Sequence, residues 1–240
     1  MSRYSSIARM GGDSLAPPGR FHYILRMRRL VHLLLAPPSR FARLIAGEKR
    51  LTIDPVAAEE PSAHLPVFID LDGTECVGLW AIVDHMEGNY PDHPLTPEDA
   101  AARAESLRLV DWAMGPFHEA VTKRIVHEKA SQRFTGAASR RAPDMAVIRE
   151  GREALAAALK TLGAAAERNG YLACRECTLG DLAVAAHLSA LDYFGEVPWA
   201  DHPAAAEWYV KMKSRPAFRS LLADRVPGQP PVSHYAELDA

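Results

Sequence analysis

The period of the apolar positions changes along the chain. From residue 28 to about residue 77 they come in short runs of strand length: LVHLLL at 30–35, LTID at 51–54, LPVFID at 65–70 and TECV at 74–77. Two helical patterns interrupt them. Phe41, Leu44 and Ile45 recur at helical spacing within SRFARLIAGEK, and Ile82, Val83 and Met86 do so within LWAIVDHMEGNY. Asp72-Gly73 is a hairpin turn signal between the last two runs. The order predicted is β-α-β, then β-β-α.

Beyond the linker PDHPLTPED the pattern becomes helical throughout. Thr96-Pro97-Glu98-Asp99 offers Thr as N-cap, Pro at the first helical position and an acid at the third, which predicts a helix opening at Glu98. Residues 98–115 and 117–134 read as one long or kinked helix, with Gly115-Pro116 at the kink. A loop, TGAASRRAPD, follows. Residues 145–169 form a helix ended by Gly170. Thr178 as N-cap and Asp181 at the third position open LAVAAHLSALDYF, and HPAAAEWYVKMKS and AFRSLLAD are shorter helices. The organisation expected is an N-terminal extension over 1–27, a sheet-bearing domain over 28–90, a linker over 91–97, an all-helical domain over 98–225 and a Pro-rich tail over 226–240. The extension has Gly, Pro, Ser and Arg without period and lacks the apolar core of a signal peptide, and Met27 opens the first ordered element directly.

Composition narrows the function classes. Apolar residues are 48% and charged residues 24%, the balance of a chain with a sizeable core, and a net charge of −2 gives no bias toward nucleic acid or an anionic membrane. No apolar run approaches the ~18 residues of a membrane span. Cys76, Cys174 and Cys177 are too few for a disulfide framework, which fits a reducing cytoplasm. Cys174 and Cys177 form a lone CxxC without the two further ligands of a structural zinc site. A thiol redox role for this pair is the outside reading, and no metal or organic cofactor is indicated.

The residues resemble a known family. APPSRFARLIAGEK is similar to the first turn and helix of cytosolic glutathione transferases, LPVFIDLDG to their cis-proline strand, here with Pro66, and TLGDLAVAAHL to their buried capping box and central helix. The resemblance covers 28 to about 225 and implies a thioredoxin-like domain followed by an all-helical domain. The C-terminal half, from AAHLSALDYF to the end, and the segment TKRIVHEKASQRFTG are similar to a subgroup of this family, the FtsZ-binding division proteins of alphaproteobacteria. Members of that subgroup usually end in an aromatic after Leu-Asp; this chain ends Leu238-Asp239-Ala240.

Placed on the transferase pattern, the glutathione anchors are altered. The catalytic serine position holds Ala36, which donates no hydrogen bond. Ser39 lies about a turn further on and reads as an N-cap or a rescue donor. Pro66 keeps the backbone at the cis-proline. The acid and hydroxyl that grip the γ-glutamyl end are replaced by Gly78 and Leu79, before Trp80-Ala81-Ile82. Each lost charge-assisted hydrogen bond is worth about 1.5–3 kcal/mol, so losing two costs roughly 100-fold or more in affinity. The short segment PVAAEEPSAH leaves little room for a helix that normally adds contacts.

Attention moves to surfaces. Lys123, Arg124, Lys129, Arg133, Arg140 and Arg141 form a basic stripe, with His127 among them and only Glu128 offsetting it. The tail places Tyr235 and Leu238 three apart, with Glu237 and Asp239 between and beyond, in the form of a short docking segment. His187, Trp199, Trp208 and Tyr209 read as core. The resemblance implies a noncatalytic homodimeric adaptor that binds FtsZ at the division site in the cytoplasm, without membrane insertion. An active glutathione transferase is the alternative.

Overall fold

The structure, a computed structural model, describes residues 27–130, 132–136 and 142–237. Residues 1–26 of the expected extension, together with Arg140, Arg141, Leu238 and Asp239, lie outside the described residues. A four-stranded mixed sheet has the order β2-β1-β3-β4. β1 (Arg28–His32) runs parallel to β2 (Ile53–Ala57) and antiparallel to β3 (Val67–Ile69), which pairs antiparallel with β4 (Glu75–Val77). The register sets Leu30 opposite Phe68 and Phe68 opposite Cys76. These three are buried on one face. α1 (Pro37–Glu48) and α2 (Leu79–Asn89) bring Phe41, Leu44, Ile45, Ile82, Val83 and Met86 into the same core. The Asp70 amide donates to the Thr74 carbonyl at 2.9 Å and closes the hairpin. β1 stops at His32, short of the expected residue 35, because Leu33 and Leu35 turn inward; the Leu35 amide donates to Phe134 of the helical part at 2.9 Å. No helix forms over residues 58–66 between β2 and β3.

The helical part begins later than its Thr96 signal suggests. α3 (Ala100–Trp112) is capped by Asp99, whose Oδ1 accepts from the Ala102 amide at 2.8 Å. The Pro97 and Glu98 carbonyls instead accept from the Arg103 guanidinium. Where a kink is expected, residues Ala113–Thr122 widen into a π-helix around Pro116, which has no N–H to give to the ladder. α4 (Lys123–Lys129) and α5 (Gln132–Thr135) follow. α6 (Met145–Asn169) ends at Gly170, at φ 85.

α7 (Leu179–Asp192) is the spine: every residue of it is buried. Its start is held by a capping box between Thr178 and Asp181. Asp181 also accepts from the Leu172 amide at 2.9 Å and the Trp208 indole at 3.0 Å. A Cβ on Gly180 would lie 2.9 Å from both Leu109 Cβ and the Ser106 carbonyl, so only glycine lets α7 approach α3 this closely. α8 (Pro203–Lys213) and α9 (Arg219–Leu222) complete the packing. No described helix is long and apolar enough to cross a membrane.

α1 docks on α7 through a buried ion network. The fully buried Arg40 guanidinium donates to the Leu34 carbonyl at 2.8 Å, Ser189 Oγ at 2.8 Å, the Tyr235 hydroxyl at 3.0 Å and Asp224 Oδ2 at 3.1 Å. Arg43 reaches the same Asp224 oxygen at 2.8 Å. Two guanidiniums on one carboxylate leave a buried surplus of charge, and the neutral acceptors around Arg40 disperse it.

Candidate functional site

A cavity of about 390 Å³ opens where α1 begins. Ala36 is the N-cap and contributes no side-chain bond, and Pro37 and Pro38 fill the first turn. Helix N-termini hold anions through free amides. Two of those amides do not exist here, because proline has no N–H. Ser39, expected as a cap or a rescue donor, is not the N-cap: it lies inside α1, almost fully buried, and its Oγ accepts from the Leu33 amide at 3.1 Å. That bond fixes the turn between β1 and α1.

The Leu65-Pro66 peptide is cis. Leu65 lines the cavity and Pro66 is buried behind it. The Pro66 carbonyl accepts from the Gly78 amide at 2.9 Å. Gly78 caps α2 at φ 83 and ψ 162, a backbone region essentially reserved for glycine. Leu79 packs against the core. Neither residue is on the cavity wall. An acid at 78 would be strained in this backbone conformation.

The opposite wall carries His118 and His127, whose rings meet edge to face at 5.4 Å. His118 also meets His187 at 5.7 Å. Burial pushes His127 down to about 4, lowers His118, and holds His187 well below the ordinary histidine range. All three are therefore uncharged at neutral pH, and the cavity gains no cation from them. His187 is the core histidine expected; its Nδ1 bonds Thr122 Oγ1 at 2.7 Å. The sequence reading misses His118 and assigns His127 to the basic stripe, because nothing in their spacing reveals that His118 of the π-helix and His127 of α4 line one cavity. Among the described residues no group of His, Cys, Asp or Glu is arranged to hold a metal ion. Cys174 and Cys177 are free, and burial raises the Cys177 thiol far above its ordinary value, which makes it a poor nucleophile.

The basic stripe is not an unopposed positive face. Lys123 pairs with Glu119 at 2.7 Å, Arg124 with Glu150, and Lys129 with Glu196. Glu196 is nearly buried, and burial alone would raise its carboxyl; bonds from Arg152 and Lys129 outweigh that and hold it below the usual range. Arg133 is exposed and sits 6.0 Å over the Phe134 ring. Tyr235 corrects the expectation of a free docking anchor. It is fully buried in a single turn over Ser233–Ala236, takes a bond from Arg40 and donates to the Leu221 carbonyl at 3.1 Å. Trp208 and Tyr209 are buried, and Trp199 stacks on Tyr209 at 4.5 Å.

Comparison with known proteins gives the following. No family model matches the chain. It is 40% identical over 226 residues to FtsZ-localized protein A of Caulobacter vibrioides, covering 88% of this chain and 98% of the relative. It is 25% identical over 171 residues to glutathione S-transferase GstB of Escherichia coli, covering 69% and 76%. Among solved structures, a glutathione S-transferase from Rhodospirillum rubrum superposes with a TM-score of 0.83 at 38% identity, and FzlA from C. crescentus with 0.82 at 39%; each spans 89% of this chain and 100% of its own.

Proposed function

The chain belongs to the family of FtsZ-localized protein A, built on the glutathione S-transferase fold, and we propose on that premise that it is a noncatalytic adaptor that associates with FtsZ filaments and promotes constriction. The observation that carries the noncatalytic half is the start of α1. A glutathione thiolate there meets the Ala36 methyl in place of a hydroxyl, and Pro37 and Pro38 leave the first two helical positions without amides. Gly78 and Leu79 provide neither acid nor hydroxyl for the γ-glutamyl end.

The adaptor acts as a homodimer at the division site in the cytoplasm. Leu71, Val77 and Trp80 are 39%, 46% and 46% exposed around β4 and the start of α2. A second copy would cover them, and the apolar groove between α3 and α6 at Trp112, Ala154 and Ala158 supports the same arrangement. Two FtsZ-binding surfaces per dimer bridge filaments, since linked weak sites gain avidity without new contacts. Co-sedimentation with GTP-assembled FtsZ tests the adaptor.

The name carried by the R. rubrum structure favours a second reading, an active glutathione transferase. A calorimetric titration with glutathione separates the two: micromolar binding supports the enzyme, and no measurable heat supports the adaptor.

A further inference from the structure

A second cleft, of about 510 Å³, lies at the opposite end of α1. Its walls come from the end of α1, the linker at 93–95, the loop at 171–177 and the turn at 215–217, so a ligand there touches both the sheet and the helical parts. Three arginines line it: Arg50, Arg175 and Arg215. Arg215 is committed. Its Nε and Nη2 donate to the two Glu48 oxygens at 2.6 Å each, and its Nη1 donates to the Tyr171 hydroxyl at 3.0 Å. Arg50, Arg175 and His93 have no side-chain partner among the described residues. Glu176 is the other carboxylate on the wall, so guanidiniums outnumber carboxylates there by one.

Arg50 and His93 hold φ values of 56 and 58, and among the described residues no other non-glycine residue has a positive φ. Left-handed backbone strains ordinary side chains and persists where the surroundings enforce it. Both strained positions fall on this one cleft. The remaining wall is apolar, at Pro94, Leu95 and Pro216.

We propose that this cleft binds a small phosphorylated molecule, its phosphate held between Arg50 and Arg175 and its body laid on Pro94, Leu95 and Pro216. A planar guanidinium matches a phosphate or carboxylate edge with two parallel bonds. Arg50 and Arg175 offer two donor forks against the one remaining carboxylate, Glu176, and two forks match the several oxygens of a phosphate better than the two of a single carboxylate. Phosphate and dicarboxylate therefore share the recognition chemistry, and the probes must separate them.

The test is a calorimetric titration of the full chain at fixed ionic strength with inorganic pyrophosphate and, separately, with succinate. Wild type, R50Q/R175Q and the distant control Arg133→Gln are compared, each with its circular dichroism spectrum. Saturable pyrophosphate binding is expected, weakened roughly tenfold or more in R50Q/R175Q and unchanged in the control. Three results overturn the proposal: no pyrophosphate binding at millimolar concentration, equal losses in the control and the double variant, or succinate binding as tightly as pyrophosphate. Both altered arginines are exposed, so the variants fold independently of the outcome.

Discussion

Arg40 of α1 donates to the Tyr235 hydroxyl at 3.0 Å, and both side chains are fully buried. The bond joins residues 195 apart in sequence. It makes the last described turn a strut between the sheet and helical parts rather than a free docking arm. Tyr235→Phe removes one hydroxyl bonded to a charged donor and to the Leu221 carbonyl. The expected loss is about 1–3 kcal/mol of stability. Tyr235→Ala also opens a cavity and costs about 3–5 kcal/mol. Urea unfolding reads both, and an unchanged midpoint for Tyr235→Ala contradicts the buried placement.

Asp224 accepts from Arg40 and Arg43 on the same oxygen. Asp224→Asn leaves two buried guanidiniums without a counter-charge, and removal of one partner of a buried pair costs about 3–5 kcal/mol. Thermal unfolding should show a large drop. A loss no greater than that of an exposed substitution would mean that Asp224 is not the anchor of this seam.

His32 is 2% exposed, and burial, assisted by the Arg43 charge, pushes it from 6.5 down to about 4. A histidine depressed in the fold is protonated first in the unfolded chain. Its stability contribution is therefore complete above the ordinary value of 6.5 and is lost as the pH falls toward about 4. His127 acts in the same window and direction. His32→Gln should flatten the fall of stability across that window relative to wild type, as read by denaturant midpoints at several pH values. Parallel curves contradict the assignment.

Point substitutions should not rebuild the glutathione pocket. Ala36→Ser with Leu79→Ser restores two hydroxyls, but Pro37 and Pro38 still lack their amides, and an acid at Gly78 would cost about 1–3 kcal/mol in backbone strain. The double variant is expected to show no measurable glutathione heat. A micromolar affinity in it would mean that the two side chains, not the polypeptide path, had silenced the site.

Trp80, 46% exposed, is the largest of the apolar side chains that the proposed homodimer would cover. Trp80→Glu should shift the sedimentation velocity peak from dimer to monomer. The monomer should bind FtsZ filaments yet fail to bundle them. A persistent dimer places the interface elsewhere.

Much of this fold was legible because its signals are local. Residues 145–169, the stop at Gly170, and the Thr178–Asp181 box all depend on side chains within a turn of one another. The start of α3 is ambiguous in sequence because Asp99 and Thr96 are both capable caps, and Arg103 decides between them by taking the Pro97 and Glu98 carbonyls. Residues paired across long distances stayed hidden. Glu150 and Glu196 pair with Arg124 and Lys129 from other elements, so part of a stripe that is basic in sequence is opposed in space. Ala36, Gly78 and Leu79 were readable as departures from a family pattern. That Pro37 and Pro38 fall at the first two helical positions, and that Gly78 sits where an acid would be strained, required the backbone.

The most direct measurement is pelleting of the purified chain with FtsZ assembled in GTP, beside Arg133→Glu as a surface variant that leaves the Lys129–Glu196 pair intact. The account predicts that the wild type pellets with polymer and stays in the supernatant when FtsZ is held unassembled in GDP. A wild type that never pellets with polymer, while binding glutathione in solution, would contradict the adaptor and favour the transferase reading.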